Sequence, residues 1–284
     1  MIGLIARSPT AGTALLTAAL SLLSPASAAA PPDTPPRIAI IIDDLGHQLA
    51  AGRRAVRLPG PVACALLPDT PRAGVLAEEA FAAGKDVLLH LPLQSIGYEG
   101  PAEPGSIVLD MTRGELAQSF ARSVASIPHL VGVNTHRGSL LTQHPGHMSW
   151  LMEEIRKEGR LFFVDSYTTP ASIALSIARE SGVPAVRRDV FLDPDPSAGT
   201  VAREFARLKK VARQHGMAVG IGHPHGSTLA LLEQELPKLE GEGFELVSIS
   251  HYVALMQAGG TTSTAALVNP GYNHPSRAGV SPLK

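Results

Sequence analysis

A repeated alternation of short apolar runs with helical segments, starting at Arg37, is the feature that most constrains the fold of this chain. The first run is rich in isoleucine, as is typical of a strand that is buried on both faces. Eight such runs are predicted as strands, at residues 37–42, 61–68, 86–90, 130–134, 161–165, 185–193, 218–222 and 244–249. Helices are predicted between them, and one begins at a capping box formed by Thr112 and Glu115.

This order of elements predicts an α/β fold in a single domain. Continuous apolar strands that alternate with helices favour a parallel sheet with helices on its outside. Seven or eight such units in ~220 residues suit a (β/α)7-8 barrel that is closed or nearly closed on itself. A doubly wound open sheet is the alternative, but the G-x-G-x-x-G sequence that is typical of its first turn is absent.

Residues 1–28 have the pattern of a secretory signal peptide. Arg7 precedes an apolar run at residues 11–23, and an A-x-A sequence ends at Ala28. The run is shorter than the roughly 20 apolar residues that cross a bilayer, so cleavage after Ala28 is expected rather than an uncleaved anchor. The mature protein is therefore expected in the periplasm or secreted, without a stable membrane span.

The mature chain is expected to have three parts. Residues 29–36 are predicted as a proline-rich linker and residues 37–258 as the barrel domain. Residues 259–284 contain few large apolar side chains, and this composition predicts a disordered tail.

Charge and cysteine content exclude several classes of function. The chain has 24 Lys and Arg residues against 25 Asp and Glu, so no basic surplus favours nucleic-acid binding. Cys64 is the single cysteine, which excludes an internal disulfide and a multi-cysteine metal site. Serine-hydrolase chemistry is unsupported because the chain has no G-x-S-x-G sequence. The sequence leaves the oligomeric state open.

Ionisable and polar residues follow the predicted strands at their carboxyl ends. In a parallel barrel these ends meet at one rim, which is where active sites lie. The residues expected at this rim are Asp43, Asp44, Asp69, His90, His136, Asp165, Ser166, Asp193, His223 and His225. Carboxylates and imidazoles in one place suit a divalent metal, with zinc as the expected ion. A further carboxylate can then act as a base, and a histidine can protonate the leaving group.

Other polar residues are given lesser roles. Asp193 and Asp69 are expected to be helix caps or loop residues, whereas Asp165 is expected to be catalytic or to orient a histidine. The irregular segment at residues 94–110 could fold over the site. Seven histidines are expected in solvent, namely His47, His129, His144, His147, His215, His251 and His274.

Six blocks of the sequence, in this order, resemble the divergent polysaccharide deacetylase family. They are IIDDLG at 41–46, VLLHLPL at 87–93, GVNTHRGS at 132–139, FVDS at 163–166, VFLD at 190–193 and GIGHPH at 220–225. The resemblance extends over roughly residues 37–256. It implies a distorted (β/α) barrel of the NodB-type deacetylase superfamily. It also implies metal-dependent removal of acetyl groups from an N-acetylated sugar polymer.

The resemblance also implies roles for four residues. Asp43 corresponds to the catalytic base, Asp44 and His90 to metal ligands, and His223 to the acid that protonates the leaving amine. The chain departs from the superfamily pattern at Gln94, where a second metal histidine is usual. It also has Asn134-Thr135-His136-Arg137 in place of an Arg-x-Pro-Tyr block.

His136 is therefore expected to supply the missing ligand from the neighbouring strand. Asp165 or His225 is expected to orient His223. The residues expected to contact substrate are Asn134, Arg137, Ser166 and His225.

The function expected from these residues is that of an exported metal-dependent carbohydrate hydrolase. Its partner would be an acetylated polysaccharide or a peptidoglycan-like glycan. A catalytically inactive barrel that binds a cell-envelope component is the alternative, because the second metal histidine is missing. A hydrolase of an ester or a peptide amide is a third hypothesis.

Overall fold

A curled sheet of parallel strands forms the centre of the structure, a computed structural model that describes residues 34–98, 100 and 102–260. The predicted signal peptide lies outside the described residues, as do residues 29–33 of the linker and 261–284 of the tail. No helix in the described part of the chain is long and apolar enough to cross a membrane.

Strands and helices alternate along the chain as the apolar pattern predicts. The strands are β1 (Arg37–Leu45), β2 (Ala63–Leu66), β3 (Val87–Leu93), β4 (Leu130–Arg137), β5 (Phe162–Asp165), β6 (Ala185–Arg187), β7 (Val190–Phe191), β8 (Met217–Gly222) and β9 (Glu245–Leu246). The α-helices are α1 (Leu49–Val56), α2 (Ala73–Ala82), α3 (Arg113–Ala125), α4 (Pro145–Lys157), α5 (Ala174–Glu180), α6 (Ala198–His215), α7 (Gly226–Glu235) and α8 (Ile249–Gly260). Short 3-10 helices occur at Leu141–Gln143 and Leu236–Lys238.

All strand pairs in the sheet are parallel, which confirms the predicted fold class. The order across the sheet is β6-β5-β4-β3-β2-β1-β8-β7. β9 lies beside the first two residues of β1, where β2 has not yet begun to pair. The strand predicted at 244–249 is thus much shorter than expected. The predicted capping box is confirmed, because Thr112 and Glu115 close it at the start of α3.

The barrel has a seam between β6 and β7. The sequence predicts one strand over 185–193, but β6 pairs with β5 whereas β7 pairs with β8 at the other edge of the sheet. Only Arg188 and Asp189 separate the two strands. Since consecutive Cα atoms are 3.8 Å apart, the two edges lie next to each other. The sheet therefore curls into a distorted barrel whose hydrogen-bond ladder is interrupted at one place.

Side chains alternate between the outside and the inside of this barrel. On β1, Ile38, Ile40 and Ile42 pack in the cluster that includes the outer helices, whereas Ala39 and Ile41 pack in a second, inner cluster. The inner cluster also contains Leu88, Val164, Val186, Val219 and Ile221, and α8 joins it through Ile249, Tyr252 and Val253. This period of two residues decides which polar side chains at the strand ends point toward the barrel axis.

The turn after β1 depends on Gly46. Its φ of +124° is in the region that favours glycine, and an added Cβ would lie 2.0 Å from Thr70 Oγ1. We expect Gly46→Ala to lower the free energy of unfolding by about 2–4 kcal/mol, from backbone strain and overpacking together. Urea unfolding monitored by circular dichroism measures this.

Gly74→Ala in α2 is the matched control, because no atom lies within 4 Å of its added Cβ. The control should be neutral or up to about 1 kcal/mol stabilising, as alanine favours helix. A Gly46→Ala variant as stable as the Gly74→Ala variant would contradict the described turn.

Candidate active site

Polar side chains converge at the carboxyl end of the barrel because, counted by twos along each strand, they follow the residues that point toward the barrel axis. Asp43 follows Ala39 and Ile41 on β1, His90 follows Leu88 on β3, and His223 follows Val219 and Ile221 after β8. By the same alternation, the side chains of four further residues point inward: Asn134 and His136 on β4, Ser166 after β5 and Asp193 after β7. The predicted convergence of these groups is therefore present in the fold.

Asp44 reaches the same place by a different route. It is adjacent to the inward Asp43, so a regular strand would direct it outward. Instead, its φ is +56°, and the pairing of β1 with β2 shifts register between Ile42 and Leu45. The left-handed backbone at the end of β1 thus brings both carboxylates toward the barrel axis.

Three ligand atoms form a small triangle at the rim. Asp44 Oδ1 lies 3.1 Å from His90 Nε2 and 2.9 Å from His136 Nδ1, and the two nitrogens are 3.1 Å apart. Ligand atoms around a tetrahedral zinc ion, with bonds of about 2.0 Å, lie about 3.3 Å from one another. The sides of the triangle are close to this separation.

The buried oxygen of Asp44 supports a cation at this triangle. Asp44 Oδ1 accepts no hydrogen bond from any residue that the structure describes, although two imidazole nitrogens lie within 3.1 Å. A buried carboxylate oxygen without a hydrogen bond is costly. Asp44, His90 and His136 therefore fit a divalent metal, the ligand set that the sequence predicts.

Asn134 links one ligand of this set to the second carboxylate of β1. His90 Nδ1 lies 2.9 Å from Asn134 Oδ1, and Asn134 Nδ2 donates to Asp43 Oδ1 at 2.7 Å. An amide oxygen only accepts, so His90 carries its proton on Nδ1, and the Nε2 lone pair faces the triangle. Asn134 is fully buried, and its amide contacts both His90 and Asp43. It therefore positions these two residues, while its contact with substrate stays a prediction.

The charges at this site compensate one another. Burial raises the pKa of Asp44, but the contacts with His136 and His90 outweigh it and hold the pKa well below its usual range. Burial also raises the pKa of Asp43, and the nearby histidines reverse only part of that increase. Burial lowers the pKa of His90. The Asp43 and Asp44 carboxylates raise it by more than burial lowers it, so the net change is upward. The site thus stabilises positive charge between two carboxylates, as a cation site must.

His223 is held by the carboxylate of Asp193, for which the sequence predicts only a minor role. Asp193 Oδ1 lies 2.9 Å from His223 Nδ1, while Asp193 Oδ2 accepts from the His223 backbone N–H at 2.7 Å and from Thr228 Oγ1 at 2.7 Å. Burial lowers the pKa of the His223 imidazole, but the hydrogen bond to Asp193 and the two β1 carboxylates outweigh it and raise the pKa to about 9. Asp193 does lie in the loop between β7 and α6, as expected, but its carboxylate also holds His223, a role that the expectation did not include. Its inward position relative to Val190, which packs outward, was the signal that could have found it.

Asp165 does not contact His223, contrary to the expectation that it orients this histidine. Its carboxylate accepts from Ser172 Oγ at 2.8 Å and from the Tyr167 backbone N–H at 2.9 Å. Phe162 and Val164 face inward, so Asp165 is on the outward face of β5. It therefore holds the turn after β5. Ser166 is buried, and its hydroxyl lies 3.4 Å from Asn134 Nδ2.

More exposed residues surround the opening of the site. His225 is exposed and precedes α7, with its ring centroid 5.8 Å from that of His223. Arg137 has a φ of +56°, and its guanidinium lies over the Tyr98 ring and 2.9 Å from Glu103 Oε1. Glu103 was not predicted as a site residue, because a single acidic residue in an irregular segment carries no motif.

The other predicted positions also have clear locations. Asp69 and His47 are exposed in loops, as expected. His147 is buried beside His144, which contradicts its expected place in solvent. His129 is half-buried and stacks on Phe81. His274 lies outside the described residues.

Comparisons with known proteins give the following matches. A family model described as divergent polysaccharide deacetylase matches residues 40–253. A protein of Haemophilus influenzae is 34% identical over 215 residues, which cover 76% of this chain and 76% of that protein. The Escherichia coli protein YibQ is 32% identical over 198 residues, which cover 70% of this chain and 61% of that protein. A crystal structure of an Agrobacterium tumefaciens protein superposes with a TM-score of 0.74 at 24% identity, covering 77% of this chain and 89% of that chain. This last likeness shows the fold.

We expect Asp193→Asn to lower the pKa of His223 in the metal-free protein, because the variant removes one of the three negative charges that together raise it to about 9. A folded-state pKa above the ordinary 6.5 means that protonated His223 stabilises the fold below pH 6.5, and that this contribution is lost as the pH rises through about 9. The variant should therefore lose less stability than the wild type across this interval. Histidine NMR titration measures the pKa, and thermal unfolding measures the stability.

Asp195→Asn is the matched control, since Asp195 is exposed and accepts from the Ser197 backbone N–H. Its titration of His223 should equal that of the wild type. An unchanged His223 pKa in Asp193→Asn would contradict the described hydrogen bond.

Proposed function

The chain belongs to the divergent polysaccharide deacetylase family, and we propose that it is a metal-dependent hydrolase that removes acetyl groups from the amino sugars of an acetylated glycan. One observation carries the proposal. A buried carboxylate and a charged histidine both stand beside the triangle of ligand atoms. Asp43 Oδ2 lies 3.6 Å from His90 Nε2, and His223 Nε2 lies 3.7 Å from Asp44 Oδ2.

Asp44, His90 and His136 would hold the divalent metal, with zinc as the first candidate. When it is bound, such an ion supplies a Lewis acid for the acetyl carbonyl and for a water molecule. The Asp44 side chain is 36% exposed, so the ligand set is open to solvent on one side. This leaves room for water and substrate, as catalytic sites require.

Asp43 is suited to act as the base. Its raised pKa makes it a better proton acceptor than an ordinary aspartate, and the Asn134 amide fixes the orientation of its carboxylate. In the proposed reaction, Asp43 takes a proton from the attacking water as the water oxygen bonds to the acetyl carbon.

His223 is suited to act as the acid. Its pKa of about 9 keeps the imidazole protonated at neutral pH, and Asp193 on Nδ1 directs the Nε2 proton toward the ligand triangle. When the carbon–nitrogen bond breaks, the nitrogen needs this proton to leave as an amine. The products are acetate and a free amino sugar. An amide anion leaves far less readily than an alkoxide, so an amide substrate depends on this proton more than an ester does.

Arg137 and His225 are proposed to contact the glycan, because both lie at the opening of the site and are partly exposed or exposed. Ser166 lies deeper, where only the acetyl end of a substrate could reach it. The proposed substrate class is an acetylated polysaccharide or a peptidoglycan-like glycan of the cell envelope.

The separate roles of the two β1 carboxylates give a sharp test. We expect Asp43→Asn to retain one divalent ion per chain while acetate release falls by about 10²–10⁴-fold, because only the base is removed. Asp44→Ala should lose both the ion and the activity. Elemental analysis gives the metal content, and acetate release from N-acetylglucosamine oligomers gives the activity.

Asp110→Asn, outside the site, is the control and should behave as the wild type. A wild-type protein that binds no zinc, cobalt or nickel would favour the alternative of a non-catalytic binding barrel. Equal metal loss in Asp43→Asn and Asp44→Ala would contradict the assigned roles.

Export to the periplasm or the medium is proposed from the signal-like segment at residues 1–28. We expect the full chain, expressed in a Gram-negative host, to be found in the periplasm with Ala29 at its amino terminus. Cell fractionation and amino-terminal sequencing measure this. A cytoplasmic protein that still carries residues 1–28 would contradict the proposal.

A further inference from the structure

We propose that Glu103, in the loop after β3, is a positioning residue that orients the metal ligand His136. The inference rests on the metal site of the proposed function. It assigns a role in that site to an acidic residue from a segment outside the strands, which no sequence block singles out.

The contact between the two side chains is on the far edge of the imidazole. Glu103 Oε2 lies 3.1 Å from His136 Nε2, while His136 Nδ1 faces Asp44 and His90 in the ligand triangle. The His136 side chain is only 12% exposed, and Nε2 itself is buried. Glu103 therefore contacts the ring nitrogen that is opposite to the one in the triangle, and it acts through His136 rather than as a ligand.

Ligation through Nδ1 requires an acceptor at Nε2. A neutral imidazole that offers the Nδ1 lone pair carries its proton on Nε2. Nε2 has no hydrogen bond of good geometry to any residue that the structure describes, so Glu103 Oε2 is the acceptor placed to take that proton. A carboxylate in this position fixes the tautomer, holds the ring plane and makes the ligating nitrogen more basic.

The loop that carries Glu103 is anchored by Gln94. The Gln94 side-chain oxygen accepts from the Leu109 backbone N–H at 2.7 Å, and the Gln94 backbone N–H donates to Ile107 O at 3.0 Å. The Ile107 backbone N–H donates to Pro92 O at 2.9 Å. The position where the family resemblance implies a second metal histidine thus closes the loop instead. The closed loop brings a carboxylate to the histidine of the neighbouring strand.

Arg137 offers a way to separate this role from loop anchoring. Glu103 Oε1 lies 2.9 Å from the Arg137 guanidinium, so the same carboxylate also ties the loop to the end of β4. Removing Arg137 breaks that tie and leaves the contact of Glu103 with His136. Removing Glu103 breaks both.

The experiment measures Zn²⁺ affinity by chelator competition on the mature chain, with unfolding curves to confirm that each variant folds. We expect Glu103→Ala to bind Zn²⁺ about 10–100-fold more weakly than the wild type, as found when outer carboxylates are removed from metal sites. Glu103→Gln retains an oxygen acceptor, so its affinity should lie between the two. Arg137→Met should bind within about threefold of the wild type, because the acceptor remains.

A spectroscopic readout reports on the hydrogen bond itself. In the Zn²⁺-loaded wild type, the Nε2 proton of His136 should exchange slowly with water in histidine-labelled NMR spectra. It should exchange fast in Glu103→Ala and remain slow in Arg137→Met.

Each outcome decides the inference. Equal Zn²⁺ affinity in the wild type and Glu103→Ala overturns the role of Glu103 and leaves the proposed function intact. Equal losses in Glu103→Ala and Arg137→Met show loop anchoring alone and also overturn it. A wild-type protein that binds no Zn²⁺ overturns this inference together with the metal site of the proposed function.

Discussion

Two adjacent carboxylates at the buried end of the first strand are the constraint on which the site depends. Removing one such charge from water costs several kcal/mol unless it is paired or hydrogen-bonded, and here Asp43 and Asp44 share one place. The residues around them supply the compensation. An amide proton reaches Asp43, and three imidazoles lie within 3.7 Å of the Asp44 carboxylate. A divalent cation would supply further compensation, because Asp44 Oδ1 is buried without a hydrogen bond among the described residues.

The backbone is strained at two places around the candidate site. Asp44 and Arg137 adopt left-handed conformations at the carboxyl ends of β1 and β4, and such residues persist only when the surroundings hold them. Gly222, at the end of β8, leaves little room for a side chain. A Cβ there would lie 3.1 Å from Thr228 Cγ2 and 3.3 Å from Asp193 Oδ2, so only glycine lets that carboxylate approach the backbone of His223 freely.

A set of positioning residues surrounds the groups that face the reaction. Asn134 joins His90 to Asp43, Asp193 holds His223, and Glu103 contacts the outer nitrogen of His136. Each acts on the nitrogen or oxygen that is turned away from the ligand triangle. With this division, a site with rearranged histidines can still offer the base, the acid and the open ligand set that the proposed function requires.

Much of this arrangement follows from the sequence alone. Apolar runs that alternate with helices determine the parallel sheet, and the rule that strand ends meet at one rim brings Asp43, His90, His136 and His223 together. Counting by twos from the apolar residues of each strand also separates the inward Asp193 from the outward Asp165, although the order of motifs alone did not. Tertiary structure decided the rest. Asp44 turns inward where its backbone is left-handed and the pairing of β1 with β2 shifts register, and Glu103 meets His136 from a loop that Gln94 anchors. Both features depend on the path of an irregular backbone, and an irregular backbone leaves no periodic pattern of apolar residues in the sequence.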